Sequence, residues 1–233
     1  MKTLEKLHRS PTADYQATVL ESRLLTPTIK AIRLQLEGDE FRFLPGQSVW
    51  TKFERDGRTF TKIYSIASSP SQCPEVELCI SRVGWSSAAM HELAIGQQIK
   101  VRAPYGLMTL QTLPDRPRLY IAEGSGIAPL KSQIDWLHEM NFAQPIWLIQ
   151  ANPESPAQLP YGDRWRKLAQ TGTAFHYRAA ISPETVLVAE KLDLSQFDVE
   201  ICAIGDRSEQ LQAFVLATGA NPEQVRSEKF VAF

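Results

Sequence analysis

The stretch Lys62-Ile63-Tyr64-Ser65-Ile66-Ala67-Ser68 gathers groups that could handle a flat, charged ligand. It reads as a strand ending at Ser69-Pro70, where the chain must turn. Tyr64 offers an amphipathic ring that can stack on a planar molecule. Ser65 offers a hydroxyl that can donate and accept. Lys62 and Tyr64 are two apart, so on a strand they share a face. A cation, a ring and a nearby hydroxyl suit a ligand that is part aromatic and part anionic, as a flavin nucleotide is. An exposed strand end with a capping serine would carry the same residues. Two further stretches could meet an anion. Gly84-Trp85-Ser86-Ser87 precedes a short helical run, and its small hydroxyls and free amides suit either a pyrophosphate or a plain helix cap. Gly124-Ser125-Gly126 follows an apolar run and precedes another helix, the setting of a nucleotide-binding turn. Glu123 argues against a phosphate there unless its carboxylate points away.

These residues need elements to position them. From Asp14 to about Leu110 the texture is β: apolar and polar residues alternate in Tyr15–Leu20, Ile29–Leu36, Gln47–Phe53, Thr59–Ala67, Glu75–Val83 and Gln98–Ala103. Thr26-Pro27, Pro45-Gly46 and Asp56-Gly57 punctuate these runs. About six strands so spaced predict a small antiparallel barrel or sandwich. One helix interrupts them near Ala88–Leu93. Pro114 and Pro117 mark a boundary, and the rhythm changes. Short apolar strands (Arg118–Ala122, Pro145–Gln150, Ala174–Ala179, Val199–Gly205) alternate with helical runs at Ile127–Met140, Tyr161–Leu168, Glu184–Leu192 and Ser208–Ala217. That alternation predicts a parallel α/β sheet, whose ligands bind beyond the carboxyl ends of its strands. The expected domains are 1–112 and 113–233.

Composition narrows the function classes. The 233 residues suit one or two domains, and 43% hydrophobic with 22% charged is ordinary for a globular protein. A net charge of −1 gives no electrostatic case for nucleic acid or a membrane surface. No apolar run approaches the roughly 18 residues of a spanning helix, so no membrane insertion is expected. Met1–His8 lacks the apolar core of a secretory signal, and the expected location is cytoplasmic. Cys73, Cys79 and Cys202 are scattered and odd in number, and the four histidines have no ligand spacing. Neither a disulfide framework nor a metal site is expected.

Taken in order, the motifs resemble those of the ferredoxin–NADP reductase superfamily from about Asp14 to Phe233. The family's Arg-x-Tyr-Ser is similar to Lys62-Ile63-Tyr64-Ser65, and its glycine-x-x-serine to Gly84-Trp85-Ser86-Ser87. Its proline-x-glycine is similar to Pro104-Tyr105-Gly106, and its Gly-Thr-Gly-Ile-Ala-Pro to Gly124–Pro129. Its late Cys-Gly-Pro aligns with Ile204-Gly205-Asp206, and its terminal Glu-x-aromatic with Glu228-Lys229-Phe230. The resemblance implies a flavin-binding antiparallel β-barrel followed by a nicotinamide-nucleotide domain, with FAD and NAD(P)H as cofactors. It implies that Tyr64 lines the flavin, that Ser65 lies near the ring atom accepting hydride, and that Lys62 meets the flavin phosphate. Ser86 and Ser87 would cap the pyrophosphate beside Gly84. Gly124, Ser125 and Gly126 would face the nicotinamide nucleotide's phosphates, and Gly205 the nicotinamide. Glu228 and Phe230 would border the flavin, with Phe233 as the other candidate shielding ring.

Four departures stand out. Lysine replaces the motif arginine at 62, keeping the charge but losing the planar fork. Glu123 replaces a glycine, Ile204 a cysteine and Asp206 a proline. After the strand ending near Gln150, Ala151-Asn152-Pro153 supplies no arginine for a 2′-phosphate, although Arg164 and Arg166 lie further on. The implied activity is an FAD-dependent NAD(P)H oxidoreductase serving a small-molecule or redox-protein acceptor. An alternative, motivated by the three changes in the second half, is a flavin-binding electron-transfer or regulatory module without its own nicotinamide dehydrogenase activity. A third reading is a scaffold using Trp50, Trp85 and Trp165 as anchors. The sequence assigns no oligomeric state.

Overall fold

A computed structural model describes residues 7–38, 40–55, 57–171 and 174–230. The chain divides into two compact units. One comprises Met1–Leu113 with Lys131–Asn141, the other Pro114–Leu130 with Phe142–Phe233.

The first unit holds β1 (Ala13–Thr26), β2 (Ile29–Leu36), β3 (Ser48–Arg55), β4 (Arg58–Ser65), β5 (Glu75–Ser81), the short helix α1 (Trp85–His91) and β6 (Gln98–Tyr105). The strands form one antiparallel sheet in the order β4-β3-β6-β1-β2-β5. β1 is long because it serves two partners. Ala13–Thr18 pair with β6 and Ala17–Thr26 with β2, and a register shift after Val19 lies within the β2 pairing. The two edge strands meet where Ile66, just past β4, bridges Leu78 of β5. The expected antiparallel architecture is therefore present, with its edges joined at that corner. The alternation read in the sequence turns one set of side chains inward: Val19, Ile32, Leu34, Leu36, Val49, Ile66, Val76, Leu78 and Val101, joined by Phe41, Phe43 and Met90. Each such aliphatic side chain, fully buried, contributes about 1.5–3 kcal/mol.

The second unit is a parallel sheet in the order β11-β10-β7-β8-β9. Its strands are β7 (Arg118–Glu123), β8 (Ile146–Ala151), β9 (Phe175–Ala180), β10 (Asp198–Ile204) and β11 (Val225–Phe230). Its helices are α2 (Ile127–Glu139), whose later part belongs to the first unit, α3 (Gly162–Thr171), α4 (Pro183–Glu190) and α5 (Arg207–Ala217). Every residue of β7 and β8 is buried, as expected for central parallel strands. α4 stops two residues before the expected end because Lys191 takes a left-handed conformation, φ 52°. β11 was not expected as a strand. It is an edge strand in which only Val225 is buried, so no apolar period announces it.

Candidate functional site

In the first unit, β4 delivers Lys62 and Tyr64 to one face. Ile63 between them points the other way and is 57% exposed. The Tyr64 ring packs against the core, and its hydroxyl shares a hydrogen bond with Ser86. Burial pushes the phenol up to about 12, with the Ser86 bond opposing it. The end of β4 and the start of α1 are thus brought together. Ser65 is buried, and its oxygen lies 3.5 Å from the Ser48 hydroxyl that faces it across β3–β4. Just beyond, the Ile66 amide donates to Gln47 O at 2.8 Å and the Ala67 amide to Glu77 O at 2.6 Å.

Gly84 and Ser87 reveal how α1 begins. The Ser87 hydroxyl accepts from the amides of Val83 (2.9 Å) and Gly84 (3.0 Å) and donates to Gly84 O (3.0 Å). Of the two roles read in the sequence, cap and anion site, the Ser87 hydroxyl performs the cap. Ser86 remains turned to Tyr64. Trp85 meets Phe53 and Phe60 edge-on, at 5.8 and 5.3 Å.

In the second unit, Gly124-Ser125-Gly126 form a 3-10 turn between β7 and α2. Gly124 has φ 57°, a conformation glycine adopts without cost. Gly126 is required by packing: a Cβ there would stand 2.3 Å from the Cys202 carbonyl oxygen on β10. Gly205 also has φ 58°, and its amide donates to Phe230 O at 2.8 Å. The unpredicted β11 does the remaining placement. Its parallel register sets Glu228 beside Cys202 and Phe230 beside Ile204. Burial raises the Glu228 carboxyl above its ordinary range, helped by the neighbouring Glu200 carboxylate. Lys229 hydrogen-bonds Asp206 at 2.7 Å and holds that carboxyl below its usual range. Gly124–Gly126, Gly205 and Phe230 thereby gather at the carboxyl ends of β7, β10 and β11, with Glu228 one β-step before Phe230. Phe233 lies outside the described residues.

Sequence reasoning missed Arg207. It occupies the first turn of α5, and its guanidinium donates twice to Glu123, at 3.1 and 3.3 Å. The same group reaches Glu184 at 3.0 Å and Gln210 at 3.0 Å. The carboxylate that had argued against a phosphate is therefore buried and matched by a cation. No spacing rule links residues 84 apart, so only the fold could disclose this pair. Among the described residues no His, Cys, Asp and Glu cluster could hold a metal ion, and no helix is long and apolar enough to cross a membrane.

Residues 16–110 match the family model of an oxidoreductase FAD-binding domain. The chain is 36% identical over 173 residues to the phenol hydroxylase P5 protein of Acinetobacter pittii, an alignment covering 72% of this chain and 48% of that protein. It is 27% identical over 171 residues to ferredoxin–NADP reductase B of Sorangium cellulosum, covering 72% and 70%. Over most of its length the chain is thus similar to members of the ferredoxin–NADP reductase superfamily. The fold agrees: a ferredoxin–NADP⁺ reductase from Neisseria gonorrhoeae, solved with FAD and NADP, superposes with a TM-score of 0.77 at 17% identity. That match covers 94% of this chain and 99% of the other. The order of an antiparallel sheet followed by a parallel one is thus a fold this chain shares with that structure. The chain spans about half the length of the phenol hydroxylase P5 protein it matches.

Proposed function

We propose that this chain is a flavin-dependent oxidoreductase that moves electrons between NAD(P)H and an acceptor through bound FAD. In this reading residues 1–112 bind FAD and residues 113–233 the nicotinamide nucleotide. The carrying observation is the meeting of Tyr64 with Ser86 on the face shared with Lys62, inside the segment matched as FAD-binding. A half-buried ring, a cation and a hydroxyl-bearing helix start fit a ligand with one aromatic and one phosphate end. When bound, FAD supplies the redox chemistry that links a nicotinamide to an acceptor.

The chain's own residues do the holding. Tyr64 lines the flavin ring and Ser65 presents a fixed hydroxyl to it. Lys62 balances phosphate charge as a point cation, without the bidentate grip of an arginine. Gly84, Ser86 and Ser87 form the helix start that faces the pyrophosphate, Ser87 by shaping it and Ser86 by its hydroxyl. Gly124, Ser125 and Gly126 give the nicotinamide nucleotide a close backbone approach, and Gly205 does the same at β10. Glu228, whose raised carboxyl can keep a proton closer to neutrality than an exposed one, and Phe230 border the reacting region. The acceptor is a small molecule or a redox protein, and likeness to the reductase and electron transfer components of dioxygenases favours the protein.

The test is anaerobic mixing of the FAD-loaded protein with NADH and, separately, NADPH. Loss of the flavin's visible absorbance within seconds is expected, on the scale of ordinary turnover. NADH should serve at least as well as NADPH. Asn152, where a 2′-phosphate ligand would be sought, turns its side-chain amide nitrogen, the group that could donate to a phosphate, to Gln158 O at 3.5 Å. A protein that stays colourless with FAD would end this reading. One that binds FAD but never bleaches would instead be a flavin-binding module, a reading favoured by the Glu123–Arg207–Glu184 cluster at the edge of β7.

A further inference from the structure

The backbone that follows Ser65 is held from three directions, and α2 supplies the least expected one. Lys131 is a buried lysine, its side chain 8% exposed. An ammonium so buried needs partners. Asp135, one helical turn on, provides one at 2.9 Å, and Glu77 another at 3.4 Å. Those carboxylates would suffice to balance its charge. Yet Nζ also donates to the Ala67 carbonyl at 2.9 Å, two residues beyond Ser65. The next helix residue repeats the contact on the next peptide: the fully buried Ser132 hydroxyl donates to Ser68 O at 2.6 Å. About two turns later, Glu139 accepts from Ser69 at 2.6 Å and from Ser71 at 3.0 Å. The amides of Ile66 and Ala67 are already taken by Gln47 and Glu77. The polar backbone atoms around residues 66–68 are therefore fixed by Gln47 just before β3, by β5 and by α2 together.

We propose that Lys131 and Ser132 are positioning residues for Ser65 and Tyr64: by gripping the carbonyls of Ala67 and Ser68 they hold the β4 exit in the form that receives the flavin. This rests on the functional reading above and adds to it two residues outside the flavin motifs. A buried ion pair used only for stability could be exchanged for apolar packing. One that also holds a particular carbonyl cannot be exchanged without freeing that carbonyl.

The variants are Ser132→Ala, which removes one neutral donor, and Lys131→Met, with Lys131→Arg as the conservative partner. Two readouts are taken: amide hydrogen exchange of the FAD-free protein, and FAD affinity by fluorescence quenching. Ser132→Ala and Lys131→Met should each speed exchange at Ile66 and Ala67 about tenfold and weaken FAD by a similar factor, the scale of one lost hydrogen bond to a backbone carbonyl. Exchange in the β1–β2 pairing should stay unchanged, and Lys131→Arg should recover most of the affinity. Even acceleration across the whole sheet with unaltered FAD affinity would mean a merely structural role and overturn the proposal. Wild-type exchange and affinity in both variants would overturn it too. Should Lys131→Met fail to fold, Ser132→Ala decides alone. If the wild-type chain binds no FAD, the functional reading falls and takes the positioning role with it. Unchanged affinity in variants of an FAD-binding wild type defeats the positioning role only.

Discussion

Tyr64 carries two separable handles, a ring and a hydroxyl. Tyr64→Phe keeps the ring and loses the bond to Ser86, so FAD affinity should fall roughly two- to tenfold, the range of one hydrogen bond. Tyr64→Ala loses the stacking surface as well and should fall further, by well over tenfold. Titration of FAD into both variants checks this, and equal losses would show that the ring is no platform. Glu228 makes a prediction about pH. Its carboxyl is raised in the folded chain, first by burial and then by Glu200. The native state therefore holds that proton to higher pH than the unfolded chain does. The favourable contribution is complete below the ordinary carboxylate value, about pH 4, and disappears as pH rises through the raised one. Glu228→Gln should thus raise the melting temperature by roughly 1–3 °C near pH 8 and leave it unchanged near pH 4. Thermal melts at both pH values measure it. A rise of equal size at both would detach the effect from ionisation. At this scale the sequence was readable where residues are neighbours. Lys62, Tyr64 and Ser65 follow from strand alternation, and the two possible uses of Ser87 follow from helix-end chemistry. Arg207 was invisible because its partners Glu123 and Glu184 reach it only through the fold.

Among the elements, the turn from β7 into α2 is the tightest point. Gly126 faces a backbone carbonyl on β10, and a carbonyl cannot rotate away as a flexible side chain can. Gly126→Ala should therefore cost about 1–3 kcal/mol through forced movement of the start of α2. Urea denaturation would register the loss, and an unchanged midpoint would mean that the helix shifts freely. A glycine-rich turn is usually credited to its ligand, but here packing already demands the third position. The strands of both sheets were legible from their periods, two-residue alternation in one and short apolar runs in the other. β11 was not, because an edge strand with charged residues along it has no period to read. Its absence from the sequence reading left Glu228 and Phe230 resting on resemblance. The parallel pairing with β10 now gives them a structural position.

For the whole molecule, two hydrophobic cores of ordinary composition stand behind two sheets of different type. Binding to the folded state alone stabilises by mass action, about 2.7 kcal/mol at a hundredfold excess over Kd. For a chain of this length that is a rise of about 5–10 °C in melting temperature. Differential scanning fluorimetry with FAD should show it, and a flat response would count against FAD as the ligand. The order of folds was legible from rhythm alone, since barrel-like alternation gives way to strand–helix alternation near Pro114. The membership of α2 was not legible. Its period reads as one helix, yet its later residues, from Lys131, cluster with the antiparallel unit because their polar side chains answer carbonyls and hydroxyls there.

The Glu123–Arg207–Glu184 trio also constrains which of its members can be replaced alone. Take away Glu123 and Arg207 still has Glu184. Take away Arg207 and two acids are left near one another with the cation gone, one of them enclosed. The losses are unequal: Glu123 can be exchanged for a neutral residue by itself, whereas Arg207 cannot go without uncovering an enclosed acid.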